Sequence, residues 1–425
     1  MTDLVLKGGR VIDATGSRMA DVAIENGVIV AVGPDLTGKV VLDAAGCVVS
    51  PGLVDLHTHL REPGKEEAET IESGSRAAAL GGFTAILAMP NTTPAIDSAA
   101  VVREVQHLGR AARLAEVYVS GAITIGRKGE QLAPMAEMAA LGVRMFTDDG
   151  TGVQDTRLMR RAMEYAKGLG VILSQHCEDD ALAGGGAMHE GEWSSRLGLS
   201  GQPHEAEEVM VMRDLALARL TGARIHFQHL STARSVQMVH DARAEGLLVS
   251  AEATPHHFTL THAACASFDA VYRVNPPLRT AADVAAVKAG LRTGWLDCIA
   301  TDHAPHAPDQ KEKPFAEAPP GMLGLETALA LALTELDMPI EKVLALMSWQ
   351  PAAIGGMGDR HGGPIEVGRA ANLCVIDPLA TWVVDRTKLA SRSTNTPFEG
   401  RTLRGRVRHT IFNGDAVVID AVAQR

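Results

Sequence analysis

The sequence predicts an α/β protein: a (β/α)8 TIM barrel with a small β-sandwich domain built from both chain termini. Three observations carry this. Near-continuous apolar, β-rich runs recur eight times through the middle of the chain, with helix-like segments between them. Parallel strands buried on both faces read this way. Both ends of the chain instead alternate short β-branched runs with turns. A length of 425 residues is comfortable for a barrel with one added domain.

Residues 1–52 supply the first part of the β domain. LVLKGGRVID, ADVAIENGVIVAVG and KVVLDAAGCVVSPG read as strand, turn, strand. GGPIEVGRAANLCVIDP, TWVVD and GRVRHTIFNGDAVVID repeat that texture, so residues 366–425 are expected to complete the domain. The barrel then spans 53–365. Its strands are expected near 53–60 (LVDLHTHL), 84–89 (TAILAM), 116–123 (EVYVSGAI), 142–149 (GVRMFTDD), 171–176 (VILSQH), 224–229 (RIHFQH), 247–252 (LLVSAE) and 296–302 (LDCIATD). EAETIESGSRAAALGG, TRLMRRAMEYAKGLG and EAEEVMVMRDLALARLTG are helix-like stretches between them. The alternative is an open doubly wound sheet, but no glycine fingerprint follows a first strand.

Composition narrows the function. Apolar residues make up 46% and charged residues 21%, as in an ordinary soluble globular protein. The formal net charge of −11 argues against non-specific nucleic-acid binding. It leaves an anionic substrate open, because a local arginine can overrule the global sign. No signal peptide is expected from MTDLVLKGGRVID. No apolar stretch reaches the ~18 residues of a membrane span. The five cysteines (Cys47, Cys177, Cys265, Cys298, Cys374) are scattered without a CxxC pair. They read as free thiols in a reducing cytoplasm.

The chemistry sits at the C-terminal ends of the expected strands, which a barrel brings to one mouth. Strand one ends in DLHTHLREPG, with His57, His59 and Arg61. Asn91 follows strand two, Asp148 and Asp149 end strand four, His176 ends strand five, His229 ends strand six and Asp302 ends strand eight. Residues i and i+2 of a strand share a face, so His57 and His59 point inward together and Thr58 points away. Four histidines and two of these aspartates converging on one mouth make a donor set for a Zn²⁺-type ion. Of the other histidines, His107, His189, His204, His240, His262, His361 and His409 are expected in solvent. His226 is expected to pack away from the mouth, as is His303, and His256 and His257 are at most peripheral to it. His306, beside Pro305 in ATDHAPH, is expected to meet substrate. No GxSxG elbow, GxxxxGK[ST] loop, HExxH or GxGxxG accompanies these residues. Gly184, Gly185 and Gly186 read as a loop, and Lys311-Glu312-Lys313 as a solvated face.

With these residues in place, the sequence resembles the amidohydrolase superfamily and, within it, the bacterial type I dihydroorotases. DLHTHLREPG and ATDHAPHAPDQK look like that family's signature segments, with MPNTTP, FTDDG, HCEDD, QHLST and NPPLR between them in order. The resemblance covers essentially the whole chain. It implies that His57 and His59 bind one metal, that His176 and His229 bind a second, and that Asp149 bridges them. Many relatives use a carbamylated lysine as the bridge; no lysine ends strand four here, and Lys128 reads as a solvated loop residue. The resemblance further implies that Asp302 contacts the first metal and acts as general acid/base. Arg61, Asn91, Asn275 and His306 would hold the substrate, and backbone at Gly321 and Met322 would close over it. The implied cofactor is Zn²⁺, one or two per subunit and binuclear in the fullest form. The implied reaction is the reversible cyclisation of N-carbamoyl-L-aspartate to L-dihydroorotate in pyrimidine biosynthesis. Implied partners are that small molecule, a second copy in a homodimer, and a complex with aspartate transcarbamoylase. Nucleic acid and membrane are not among them.

Arg61 favours this substrate over a plain hydantoin. Its planar fork suits capture of a carboxylate, and a neutral cyclic amide offers none. A salt bridge to Glu62 is the bland alternative for Arg61. KEKPFAEAPPGMLGLE, beyond strand eight, reads as a lid that orders on substrate. The rival functions are a hydantoinase or allantoinase, and a silent scaffold for aspartate transcarbamoylase.

Overall fold

The structure, a computed structural model, describes residues 2–425. Its middle is built on eight parallel strands: β1 (Leu53–Thr58), β2 (Phe83–Ala88), β3 (Glu116–Val119), β4 (Met145–Phe146), β5 (Ile172–Gln175), β6 (Ile225–Phe227), β7 (Val249–Ala253) and β8 (Cys298–Ile299). β1, β2 and β3 pair in one sheet, and β4 to β8 pair in sequence order in another. Parallel bridges join the two at both edges, Gly121 with Phe146 after β3 and Thr58 with His303 beyond β8. The pairing order therefore closes on itself. Helices occupy most of the connections, which makes this an α/β chain with a buried parallel sheet.

The helices begin where polar side chains can take up their free N–H groups. Thr70 caps Ile71–Leu80 and Thr280 caps Ala281–Thr293, each in a capping box. The carboxylate of Asp155 accepts from Leu158 N and starts Thr156–Leu169. Between ring and helices lies one large apolar cluster that includes Phe83, Phe146, Leu173 and Phe227, all fully buried. Burying one such side chain contributes about 1.5–3 kcal/mol, so the strands are anchored beneath their polar ends.

Two strands are much shorter than the sequence suggests. β4 and β8 are each two residues long, against expectations of 142–149 and 296–302. Side chains have taken over from the ladder. Asp148 accepts from Ile123 N and Thr124 N, and Asp297 accepts from Ala251 N. Asp302 adopts φ +44°, which turns the chain out of the sheet.

The two chain ends meet. Leu373–Val383 pairs antiparallel with Val48–Pro51, and Thr402–Phe412 lies on its other side. They belong to a seven-stranded sheet; a four-stranded sheet is made from Thr2–Lys7, Asp21–Glu25, Val28–Gly33 and Gly38–Asp43. An apolar cluster with Leu6, Val11, Ile24, Val49, Val375 and Ile411 joins the two sheets. One stretch of the tail behaves otherwise. Residues 384–401 leave the sheet and run to the C-terminal ends of the ring strands, where Ser391, Ser393 and Asn395 are buried. No helix among the described residues is long and apolar enough to cross a membrane.

Candidate metal centre

The donors expected at the strand ends do come together. His57 and His59 leave β1 on one face, while Thr58 turns away and donates to Leu87 O. His57 Nε2 lies 3.2 Å from Asp149 Oδ1 and 3.5 Å from Asp302 Oδ1. His59 Nε2 lies 3.0 Å from Asp302 Oδ1 and 3.6 Å from Asp149 Oδ2. On the other side of Asp149, His176 Nδ1 is 3.6 Å and His229 Nε2 3.9 Å from Oδ1, and the two nitrogens are 2.9 Å apart. His57, His59 and Asp149 form one potential metal-holding group and Asp149, His176 and His229 a second, with the aspartate common to both. Donors around a tetrahedral ion with bonds near 2.0–2.1 Å stand roughly 3.3 Å apart. The observed spacings bracket that value. His57 Nε2 is buried without a hydrogen-bond partner, as a lone pair reserved for an ion would be.

Electrostatics point the same way. Burial works against ionisation of Asp149, yet His57, His176 and His229 outweigh it and hold the carboxyl well below its usual range. Asp302 is likewise lowered against its burial, by His57 and His59. Burial disfavours a charged His176, but Asp149 and Glu178 draw its imidazole up to about 10. Two buried carboxylates thus demand positive charge from the rings around them, and a divalent cation meets that demand while leaving the imidazoles neutral.

Behind the donors lies a support that sequence reasoning missed. Glu252, the acid near the end of β7, places Oε1 2.8 Å from His57 Nδ1 and accepts from His229 N. Its Oε2 lies 3.0 Å from His226 Nε2, and His226 Nδ1 is 2.8 Å from Ser250 Oγ. Burial alone would raise Glu252; His226 and His57 bring it down to about 2. The anion accepts a hydrogen bond from the Nδ1–H of His57 and so leaves its Nε2 lone pair facing the centre. His226 packs away from the mouth as expected, but as a partner of this acid. The one available signal was an acid on an otherwise apolar strand. Glu252→Gln should weaken metal binding by about 10–100-fold, read by competition with a coloured chelator; unchanged affinity would remove Glu252 from this role.

The residues expected to meet substrate divide. Arg61, at φ +61°, donates from Nε to Pro305 O at 3.0 Å, and its Nη2 lies 3.4 Å from His306 Nε2. Among the described residues no carboxylate lies within 4.0 Å of it; Glu62 accepts from Ile71 N instead, so the salt-bridge alternative fails. His306 donates from Nε2 to Pro320 O, and burial, Arg61 and Lys311 push its imidazole down to about 2. Gly321, at φ +139°, sits so close that a Cβ there would stand 2.8 Å from His306 Nε2. Asn91 reaches the donors themselves: its Oδ1 is 2.9 Å from His59 Nδ1 and its Nδ2 3.4 Å from Asp149 Oδ2. Asn275 lies at the periphery, lining a cavity of about 160 Å³ with Glu178, Gln202, Arg273 and Pro320. Glu178 connects that cavity to the centre, with Oε2 3.7 Å from His176 Nε2. Arg61, His229 and Asp302 all have positive φ, a local strain that clusters at functional sites. A cavity of about 760 Å³ lies at the other end of β3, around Glu116, Arg110 and Phe412, away from all of these donors.

Several expectations need correction. His189, His361 and His409 are buried. His361 bridges Thr84 and Glu116, His409 accepts from Asp420 N, and His189 packs between His204 and His262. His303, by contrast, faces away from the donors as expected, buried against Glu69. His256 and His257 are buried beside each other just after the end of β7. Lys311 is no solvated residue: its Nζ donates to Ala270, Arg273 and Pro319 carbonyls, and burial and Arg273 bring it down to about 7. Those bonds, with buried Phe315 and Ala318, fasten the segment expected to be a lid.

A dihydro-orotase-like family pattern matches residues 46–235. A dihydroorotase of Mycobacterium tuberculosis (strain ATCC 25618 / H37Rv) is 49% identical over 409 residues, 94% of this chain and 95% of its own. One from Pelotomaculum thermopropionicum is 47% identical over 428 residues, 99% of each chain. Among solved structures, an L-hydantoinase (dihydropyrimidinase) from Arthrobacter aurescens matches with TM-score 0.88 and 24% identity, over 100% of this chain and 98% of its own. A dihydropyrimidinase from Brevibacillus agri NCHU1002 matches with TM-score 0.85 and 23% identity, over 100% and 96%. The chain shares their fold.

Proposed function

We propose, because this chain belongs to the dihydroorotase family, that it interconverts N-carbamoyl-L-aspartate and L-dihydroorotate in pyrimidine biosynthesis. One observation carries the reading beyond the family name. Arg61 is a buried guanidinium with no carboxylate partner among the described residues, beside a cluster of metal donors. A substrate carboxylate would complete it.

We read the closed pairing order as a (β/α)8 TIM barrel over 53–365, and the two sheets of 1–52 and 366–425 as a β-sandwich. His57, His59 and Asp302 would hold one zinc ion, His176 and His229 a second, with Asp149 between them. When bound, zinc supplies a Lewis acid for the ring carbonyl and makes water a competent nucleophile at neutral pH. The chain's own residues do the rest. Arg61, with His306 and the backbone at Gly321 and Met322, binds the carboxylate and fixes the ring. Asn91 and Asn275 would help hold the ring, Asn91 while also meeting His59 and Asp149. As water adds to the ring carbonyl carbon, Asp302 takes the proton released; it returns that proton to the ring nitrogen as the C–N bond breaks. In the biosynthetic direction Asp302 removes a proton from the ureido nitrogen, which attacks the carbon of the protonated side-chain carboxyl, and Asp302 returns that proton to the hydroxyl that leaves as water. A homodimer, a complex with aspartate transcarbamoylase and a cytoplasmic location complete the reading. The five cysteines, all buried and free, suit a reducing compartment.

A hydantoinase is the second reading, favoured by the solved structures that share the fold. A silent scaffold is disfavoured by the full set of donors. The test is ring opening of L-dihydroorotate and of a hydantoin, before and after chelation, with metal counted on the same sample. Dihydroorotate turnover should vanish on chelation and return with Zn²⁺, while the hydantoin stays closed. Metal-loaded protein that opened only the hydantoin would defeat the reading.

A further inference from the structure

We propose that Asn395, on the tail segment that leaves the β domain, is a positioning residue for substrate binding. The inference rests on the dihydroorotase reading above. Asn395 is only 5% exposed. Its Nδ2 donates to Ala304 O at 3.0 Å and to Gly321 O at 3.2 Å, and its Oδ1 accepts from His306 N at 3.2 Å. Its own backbone carbonyl accepts from Leu323 N at 3.1 Å. Every polar group of the side chain is spent on two loops, the one that carries His306 and the one that carries Gly321 and Met322. Those loops also touch directly, through Ala304 N to Met322 O at 2.9 Å.

The chemistry requires an amide. A side chain here must donate to a carbonyl on each loop and accept from an N–H on one of them, and asparagine does both. Aspartate would keep the acceptor, lose both donors and set a negative charge against two carbonyls and close to the substrate's own carboxylate. The segment is held in place beyond Asn395 as well. Ser393 Oγ donates to Ala68 O at 2.7 Å, and Arg392 N donates to Glu69 Oε1 at 3.2 Å. Asn395 thus fixes the spacing between His306 and the Gly321 backbone, so that the pocket beside Arg61 exists before substrate arrives. It touches none of the metal donors by hydrogen bond.

The test compares metal-loaded wild type with Asn395→Ala, Asn395→Ser and Asn395→Asp in steady-state opening of L-dihydroorotate, with bound metal counted per chain. KM should rise about tenfold or more in each, with kcat within about threefold of wild type and metal content unchanged; Asn395→Asp should show the largest rise. A residue that merely stabilised the fold would lower the active fraction, and so apparent kcat, without moving KM. KM within about twofold of wild type in any folded, metal-loaded variant would overturn the proposal; serine and aspartate keep that result within reach where alanine fails to fold. Wild-type protein inert toward dihydroorotate would overturn the functional reading first and this inference with it, which separates the two failures.

Discussion

Asp302→Asn should bind substrate and turn almost none of it over. The carboxylate is held ionised by His57 and His59 against its own burial, so at neutral pH its oxygens carry no proton of their own. Asparagine keeps the shape and the ability to face His59, 3.0 Å away, and cannot take a proton. Loss of general acid/base catalysis at one group costs about 10²–10⁴-fold in rate, and Asp302 is asked to serve both half-steps, so the fall in kcat should lie at the upper end. The same residue faces the metal donors, so metal must be counted on the variant. A variant that holds its metal, binds N-carbamoyl-L-aspartate in calorimetry and has lost turnover fits the assignment. Near-normal kcat in either direction would end it.

Arg61→Ala should leave the metal in place and lose the substrate. Arg61 donates only to Pro305 O and borders His306, so removing it disturbs no donor. A charge-assisted contact to a carboxylate is worth about 1.5–3 kcal/mol, which is roughly 10–150-fold in affinity. Misplacement of the ring adds to that in kcat, so kcat/KM should fall by about 10³-fold. Arg61→Lys should recover little, since a point charge does not reproduce a planar fork. Any residual turnover should no longer distinguish dihydroorotate from the same ring without its carboxylate. A variant that kept that distinction would place the carboxylate elsewhere.

The residues of the candidate centre are legible in the sequence because strand geometry is periodic. His57 and His59 share a face by arithmetic, and single polar residues ending apolar runs mark where a ring of strands opens. Asp148 and Asp149 could be told apart only by resemblance; in the structure the first is spent on Ile123 and Thr124 N–H groups and the second faces the histidines. What was not legible depends on contacts between distant segments. Glu252 looks like any acid in a strand until His57 and His226 stand on either side of it. His361 reads as a surface residue until Thr84 and Glu116 supply partners. Asn395 lies in a stretch whose composition says only turn. Strand lengths were overstated for a related reason, since β-rich sequence does not reveal which backbone groups a side chain will claim.

The closing bridge between Thr58 and His303 has a bearing on how the molecule comes into being. His59 and Asp302 meet across 243 positions of sequence, and His306 waits a further 89 for Asn395. During synthesis the leading strands emerge with His57 and His59 bare, their counterparts not yet made. The contact order of the centre is therefore high, and such pairings form late. A nascent chain can collect neither ion nor substrate on its early histidines with the geometry of the finished protein. The contacts of the centre are complete only once residue 395 has been made, and a chain cut short before it would lack the support proposed above for His306 and Gly321.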